Sequence, residues 1–181
     1  MQAALIYYVA TSLDGYIARP DGRVDWLQAL DQAGDDHGFQ AFYDSIDGLL
    51  MGRVTYETVL AFGGDWPYPA KPCTVLTRGE PTPATADVHI SHDTPAQAIE
   101  QLAALGCRRI WLVGGGSLAG TCYSAGLLDE LVVSIIPRIL GAGIPMIATN
   151  LERRLQLREQ RSFPTGVVQL HYQLLPETET P

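Results

Sequence analysis

Apolar residues along this chain follow two alternating rhythms. Short runs rich in branched and aromatic side chains are bounded by turn residues, and between them apolar positions recur every three to four residues. The first pattern fits buried strands and the second fits amphipathic helices. It predicts strands at 3–11, 47–51, 73–77, 87–90, 109–113, 130–137, 155–162 and 167–175, and helices at 37–46, 53–61, 94–105 and 117–125. The helix at 94–105 is the best marked: Asp93 and Thr94 offer caps ahead of Pro95, Ala98, Leu102 and Leu105 share one face, and Gly106 follows. Strands alternating with helices imply an α/β sheet that is parallel for most of its width. Only Phe163-Pro164-Thr165-Gly166 separates the last two runs, so these form an antiparallel hairpin and the sheet is mixed.

With 181 residues the chain is long enough for one domain, expected over 1–175, with a polar tail from Pro176 to Pro181. Hydrophobic residues make up 46% and charged residues 18%, the balance of a folded globular domain. A net charge of −8 argues against nucleic acid or an anionic membrane as partner, since both demand a basic face. Cys73, Cys107 and Cys122 lie far apart, without metal or redox spacing, and read as reduced buried thiols. The chain starts directly with a strand-like run rather than a signal peptide, and no apolar run reaches membrane-spanning length. A cytoplasmic location is the expectation.

Four segments carry candidate chemistry. In Ile110-Trp111-Leu112-Val113-Gly114-Gly115-Gly116-Ser117-Leu118 a strand runs into three glycines and a helix. That context suits a phosphate cradle, because glycine admits close backbone approach and a helix start presents free N–H groups. Ala10-Thr11-Ser12-Leu13-Asp14-Gly15 ends the first strand, where ligands of open α/β sheets bind, although Asp14-Gly15 also suits a simple turn. Met51-Gly52-Arg53-Val54-Thr55-Tyr56-Glu57 opens a helix and offers a second anion site through Gly52, Arg53 and Thr55. Thr74-Val75-Leu76-Thr77-Arg78 ends another strand in a hydroxyl and an arginine. Arginines at neighbouring strand ends favour the 2′-phosphate of NADP over NAD, while Arg78 alone also fits a solvated surface position.

In order and spacing, Ser12-Leu13-Asp14-Gly15, Met51-Gly52-Arg53 with Thr55-Tyr56-Glu57, Val113-Gly114-Gly115-Gly116, and Pro137 followed by Leu140-Gly141-x-Gly143-Ile144-Pro145 resemble the dihydrofolate reductase superfamily. Within it, the likeness is to small proteins similar to the reductase domain of the bacterial riboflavin-biosynthesis deaminase–reductase. The resemblance implies a three-layer dihydrofolate reductase-like fold with NADPH across the sheet. Gly52, Arg53 and Thr55 would serve one phosphate region, and Leu76, Thr77 and Arg78 would flank the 2′-phosphate. Val113, Gly114, Gly115, Gly116, Ser117 and Leu118 would hold the pyrophosphate, with a cis peptide between Gly114 and Gly115. Ala10, Thr11 and Gly15 would approach the nicotinamide, and a substrate cavity would lie near Trp26, Trp66 and Tyr68. Asp36, beside Asp35, is the nearest counterpart of the pterin-binding carboxylate, though the pair equally suits a helix start. Riboflavin-pathway reductases typically carry a lysine where this chain has Tyr8, so it matches neither specialist fully.

Two other motifs weaken on inspection. Gly115-Gly116-Ser117-Leu118-Ala119 nearly spells a hydrolase nucleophile elbow, but alanine replaces its last glycine and the only later histidine, His171, falls in a predicted strand. His89-Ile90-Ser91-His92-Asp93 has two histidines, which in a loop are ordinarily not metal ligands. The expected function is an NADPH-dependent reductase acting on a C=N or C=O bond of a small heterocyclic or carbonyl compound, with Asp14 orienting substrate or relaying a proton. A riboflavin-pathway reductase and a non-catalytic NADPH-binding protein are the alternatives. A homodimer is the default assembly.

Overall fold

The computed structural model describes residues 3–27 and 35–175. Its strands are β1 (Ala4–Ser12), β2 (Tyr16–Ala18), β3 (Gly48–Gly52), β4 (Cys73–Leu76), β5 (Val88–Ser91), β6 (Arg109–Gly114), β7 (Glu130–Ile136), β8 (Ile144–Pro145), β9 (Leu155–Ser162) and β10 (Val168–Leu174). The helices are α1 (Phe39–Ser45), α2 (Arg53–Ala61), α3 (Pro95–Ala104) and α4 (Gly116–Ser124). Each element expected from the hydrophobic pattern is present, with ends displaced by at most two residues. The tail expected from Pro176 onward lies outside the described residues.

Eight strands form one sheet in the order β5-β4-β3-β6-β1-β7-β10-β9. Pairings from β5 across to β7 are parallel, and β10 pairs antiparallel with both β7 and β9. β1 shows why the sheet carries helices on both faces. Leu5, Tyr7 and Val9 point into one core with Ala98 and Leu102 of α3 and Ala119 and Cys122 of α4. Ile6 and Tyr8 point into the other, with Phe39 and Phe42 of α1 and Tyr56 of α2. A strand buried on both sides needs apolar residues at odd and even positions alike, and β1 supplies them.

The order of the connections creates a crevice. From β3 the chain passes to α2 on one face, whereas from its neighbour β6 it passes to α4 on the opposite face. Adjacent parallel strands whose connections diverge leave a gap at their carboxyl ends, which is where open α/β sheets bind ligands.

A second, two-stranded sheet pairs β2 with β8 antiparallel and carries no signal in the hydrophobic pattern, because its strands have only three and two residues. Close approach makes it possible. A Cβ on Gly143 would lie 2.2 Å from the Ala18 carbonyl oxygen, so only glycine fits there. From β8 the chain continues as a strap laced to three elements. Met146 N–H donates to Gly15 O at 3.0 Å, Ala148 N–H donates to Gly116 O at 3.0 Å, and the Tyr7 hydroxyl donates to Met146 O at 3.0 Å. Gly116 and Gly120 present the bare face of α4 to this strap, where their Cβ positions would fall 2.0 Å from the carbonyls of Pro145 and Ala148.

Candidate dinucleotide-binding site

The two glycine turns predicted as separate anion sites meet at the crevice. A Cβ on Gly52 would lie 3.8 Å from Gly114 O and 3.9 Å from a methyl of Leu118. Cβ positions on Gly114 and Gly115 would lie 3.5 and 3.4 Å from Thr55 Oγ1, so side chains there would fill the gap between the β6 turn and the start of α2. The Gly114–Gly115 peptide is cis, as the resemblance implied. Val113 is half-buried in the core beneath α1 and α2, and Ser117 is exposed.

Both helices that open onto the crevice start without a side-chain cap: α2 follows Gly52 and α4 follows Gly115. α3 starts differently, with a complete capping box between Thr94 and Gln97. Its first-turn donors are served by its own side chains, whereas the first turns of α2 and α4 leave N–H groups of Arg53, Val54, Thr55, Gly116, Ser117 and Leu118 available to an anion. These groups fit a pyrophosphate. The cradle has glycine at its floor, donors on both walls and a cation at one end.

That end lies at the carboxyl termini of β3 and β4. Arg53 is half exposed and pairs with Glu57 at 2.7 Å, one helical turn on. Thr77 Oγ1 accepts the Gly79 N–H at 2.9 Å, and the Cβ position of Gly79 lies 4.0 Å from Arg53 Cδ. The turn after Leu76, which carries Thr77 and the exposed Arg78, therefore approaches Arg53 at Gly79.

At the carboxyl end of β1, Ala10 packs against the buried cluster of Trp26, Ile136 and Val167. Thr11 is buried and its hydroxyl donates to carbonyls of Ser12 and Tyr16, both at 3.2 Å. Asp14 is fully engaged. It accepts the Ser12 hydroxyl at 2.6 Å and the N–H groups of Leu140 and Gly141 at 3.0 and 2.7 Å. The Ser12 hydrogen bond, reinforced by the two backbone donors, pulls the carboxyl down to about 2. A carboxylate so held keeps its charge at neutral pH and anchors the β7–β8 loop to the β1–β2 turn. This geometry gives Asp14 a positioning role between the two turns.

The expected substrate residues separate. Trp26 is buried in a short 3-10 turn against Ile136 and Val167, with its indole Nε1 buried and no acceptor for it among the described residues. Trp66 and Tyr68 belong instead to an aromatic cluster with Tyr56, Tyr43 and Trp111. Trp66 also lines a cleft of about 580 Å³ with Leu60, Asp65, Pro69, Thr85 and Asp87. That cleft is lined by residues that precede β4 and β5, at the amino ends of these strands, whereas the glycine turns lie at the carboxyl ends of β3 and β6. Asp36 accepts the N–H groups of Gln40 and Gly38, each at 2.9 Å, and these bonds lower its pKa. Both its oxygens serve the start of α1, and Asp35 likewise accepts His37 N–H at 2.8 Å, so the helix-start reading describes the pair.

A polar network missed in the sequence lies on the same face as Ala10, one pleat further in. Gln169 Nε2 lies 3.2 Å from Tyr8 Oη, 3.0 Å from Ser134 Oγ and 3.3 Å from His37 O. His37 Nε2 meets Thr165 Oγ1 at 2.8 Å. Burial pushes the Tyr8 phenol up, which keeps it neutral, and its ring stacks on Phe42 at 4.1 Å. One signal was available: Ser134 interrupts the apolar run Leu131-Val132-Val133-Ser134-Ile135-Ile136, and a buried hydroxyl in a central strand asks for a partner.

The RibD C-terminal domain family model matches residues 3–169. An uncharacterised protein of Bacillus subtilis (strain 168), YwjB, is 36% identical over 176 residues, which is 95% of this chain and 98% of that protein. A structure from Shewanella sp. PV-4, named as a candidate riboflavin biosynthesis protein, superposes with a TM-score of 0.85 at 31% identity, covering 96% of this chain and 99% of that one. Dihydrofolate reductase from Enterococcus faecalis, solved with NADP(H), shares the fold at a TM-score of 0.69 and 15% identity, over 96% and 98% of the two chains. The matched span and the three-layer sheet with its antiparallel final strands agree: the chain belongs to the RibD C-terminal domain family and has the dihydrofolate reductase-like fold.

Proposed function

We propose that this protein is an NADPH-dependent reductase that transfers hydride to a C=N or C=O bond of a small, pterin- or pyrimidine-like heterocycle. The observation that carries the reading is the meeting of two glycine turns, each followed by an uncapped helix, where the β3 and β6 connections diverge. The dinucleotide, when bound, supplies the hydride, and the chain supplies position. First-turn N–H groups of α2 and α4 hold the pyrophosphate, while Arg53, Thr77 and Arg78 meet the 2′-phosphate. Backbone from Ala10 to Gly15 borders the nicotinamide, in a conformation fixed by Asp14 through Leu140 and Gly141. The Tyr8, Ser134 and Gln169 network forms the polar wall facing a substrate ring. The bound dinucleotide would supply hydride to the electron-poor carbon, and water would supply the proton that completes the N–H or O–H.

A second reading is a reductase of 5-amino-6-(5-phosphoribosylamino)uracil, the compound named for a Thermotoga maritima structural neighbour; family membership supports it, and Tyr8, where that group typically carries a lysine, speaks against it. NADPH oxidation with a panel of pterin, phosphoribosylaminouracil, pyrimidine and carbonyl compounds, alongside calorimetry with NADPH, tests the assignment. Binding with turnover supports it. Tight binding with no turnover on any compound moves the reading to a non-catalytic NADPH-binding protein, and no binding rejects both.

The proposed assembly is a homodimer through the edge strand β9, all of whose residues are exposed, including Leu155 and Leu157 at 39% and 46%. Light scattering then gives twice 19.7 kDa, and a monomer mass refutes it. No helix among the described residues is long and apolar enough to cross a membrane.

A further inference from the structure

The segment His89-Ile90-Ser91-His92-Asp93 has no part in the dinucleotide reading as it stands, yet it touches the phosphate-binding turn. His92 follows β5 and reaches across to the turn after β4. Its Nδ1 lies 2.8 Å from Thr77 O and its Nε2 lies 2.9 Å from Glu80 Oε1. A carbonyl and an exposed carboxylate only accept. Neutral imidazole carries one N–H, so it can serve one of these partners while its bare nitrogen sets a lone pair against the other. Only the imidazolium satisfies both.

We infer that His92 is a proton-dependent positioning residue for cofactor selection: its cation fixes the Thr77–Glu80 turn and neutralises Glu80, so that the turn accepts a 2′-phosphate. This rests on the dinucleotide reading given above. The turn is the one that carries Thr77 and Arg78 and whose Gly79 lies against Arg53. When His92 loses its proton, one of its two tethers is lost and the Glu80 charge stands uncompensated beside the phosphate position.

The charged surroundings favour the proton. The hydrogen bonds to the Thr77 carbonyl and then to Glu80 raise the His92 pKa above its ordinary value; desolvation opposes them, and the charges of Glu80 and Asp93 add to the rise. Asp93 is itself held by Ser91 Oγ and by Gln101 of α3, and His89 acts on Asp93. From α2 the Arg53–Glu57 pair faces the same turn, and Arg78 lies within it. Because the pKa is raised, the cation is present below about 6.5 and is lost as pH rises through the higher folded value. Phosphate titration runs the other way: a phosphate monoester gains its second charge near pH 6 and binds cations better above it. A loss of affinity above pH 7 is therefore not the phosphate's own.

The test is the dissociation constant of NADPH and of NADH between pH 6.5 and 9 at low ionic strength, for the wild type, His92→Gln and Glu80→Gln. In the wild type NADPH weakens about two- to fivefold across this range, the scale of an exposed charge pair, while NADH stays constant. His92→Gln binds NADPH at the weaker level throughout, and Glu80→Gln binds it tightly throughout. A flat NADPH profile in the wild type, or a wild-type profile in His92→Gln, overturns the inference. Equal affinities for NADPH and NADH at every pH would remove the 2′-phosphate reading itself, and the inference with it. Independently of any ligand, the ring nitrogens of His92 followed by nuclear magnetic resonance show a midpoint above about 6.5, and a midpoint at or below that value contradicts the double hydrogen bond.

Discussion

Neighbouring glycines at the start of α4 have different jobs, and alanine at each should reveal them. A Cβ on Gly116 would stand 2.0 Å from Pro145 O and 3.2 Å from Met146 O. Side-chain carbons do not approach an oxygen within about 3 Å, so Gly116→Ala must push the strap back by about 1 Å. Overpacking of this kind costs about 1–3 kcal/mol, and loss of the Ala148-to-Gly116 hydrogen bond adds about 1 kcal/mol. The better helix propensity of alanine returns about 1 kcal/mol. The net destabilisation is about 1–3 kcal/mol, which for a chain of this length lowers Tm by roughly 3–10 °C. Gly115 has ordinary extended backbone, φ −95°, and its Cβ would meet only Thr55 Oγ1 at 3.4 Å. Gly115→Ala should leave Tm within about 2 °C, because surface changes without a clash are nearly neutral. Its methyl would project into the pyrophosphate cradle and weaken NADPH at least about tenfold, or about 1.4 kcal/mol. Thermal denaturation and calorimetry on both variants decide the matter. A Gly116→Ala protein as stable as wild type, or a Gly115→Ala protein that binds NADPH normally, would refute the division of labour.

Further outcomes follow from other contacts. Arg53→Ala combined with Arg78→Ala should abolish most of the preference for NADPH over NADH, with each exposed arginine contributing about five- to tenfold after screening, and a variant that keeps the preference places the 2′-phosphate elsewhere. Asp14 is held down to about 2, so its stabilising effect is present above about pH 4 and is lost as pH falls through 2. Asp14→Asn should accordingly flatten the acid side of the stability profile, and an unchanged profile would detach Asp14 from the Leu140–Gly141 loop. Burial pushes Cys73 and Cys122 up to about 12, and Cys107 is raised by burial as well. All three thiols should resist iodoacetamide at pH 8 until the protein is unfolded, so rapid labelling of the native chain would contradict the packing of these cores.

Strand and helix positions were legible because both cores demand long periodic patterns: β1 needs Leu5, Tyr7 and Val9 on one face and Ile6 and Tyr8 on the other, and the sequence shows both. The β2–β8 sheet was not legible, since Tyr16–Ala18 and Ile144–Pro145 are too short to show a period. Its traces were visible only as two motifs far apart in the chain. Asp14-Gly15 and Leu140-Gly141-x-Gly143 are halves of one lock, in which the carboxylate takes two N–H groups and Gly143 lets Ala18 approach. The same limit explains Asp36 and Trp66. Residue type marks a carboxylate or an indole as useful, but only the fold shows the first serving the start of α1 and the second packed against Tyr56 of α2, among residues at the amino ends of β4 and β5. Tyr8, Ser134 and Gln169 form a network only once β1, β7 and β10 lie side by side.

A crystal structure with NADPH bound decides whether the two glycine turns hold a dinucleotide. Pyrophosphate density is expected between the starts of α2 and α4, with the 2′-phosphate beside Arg53, Thr77 and Arg78 and the nicotinamide at Ala10 to Gly15. Density for the dinucleotide in the cleft bordered by Leu60, Trp66 and Asp87, or no density at saturating NADPH, would contradict that placement.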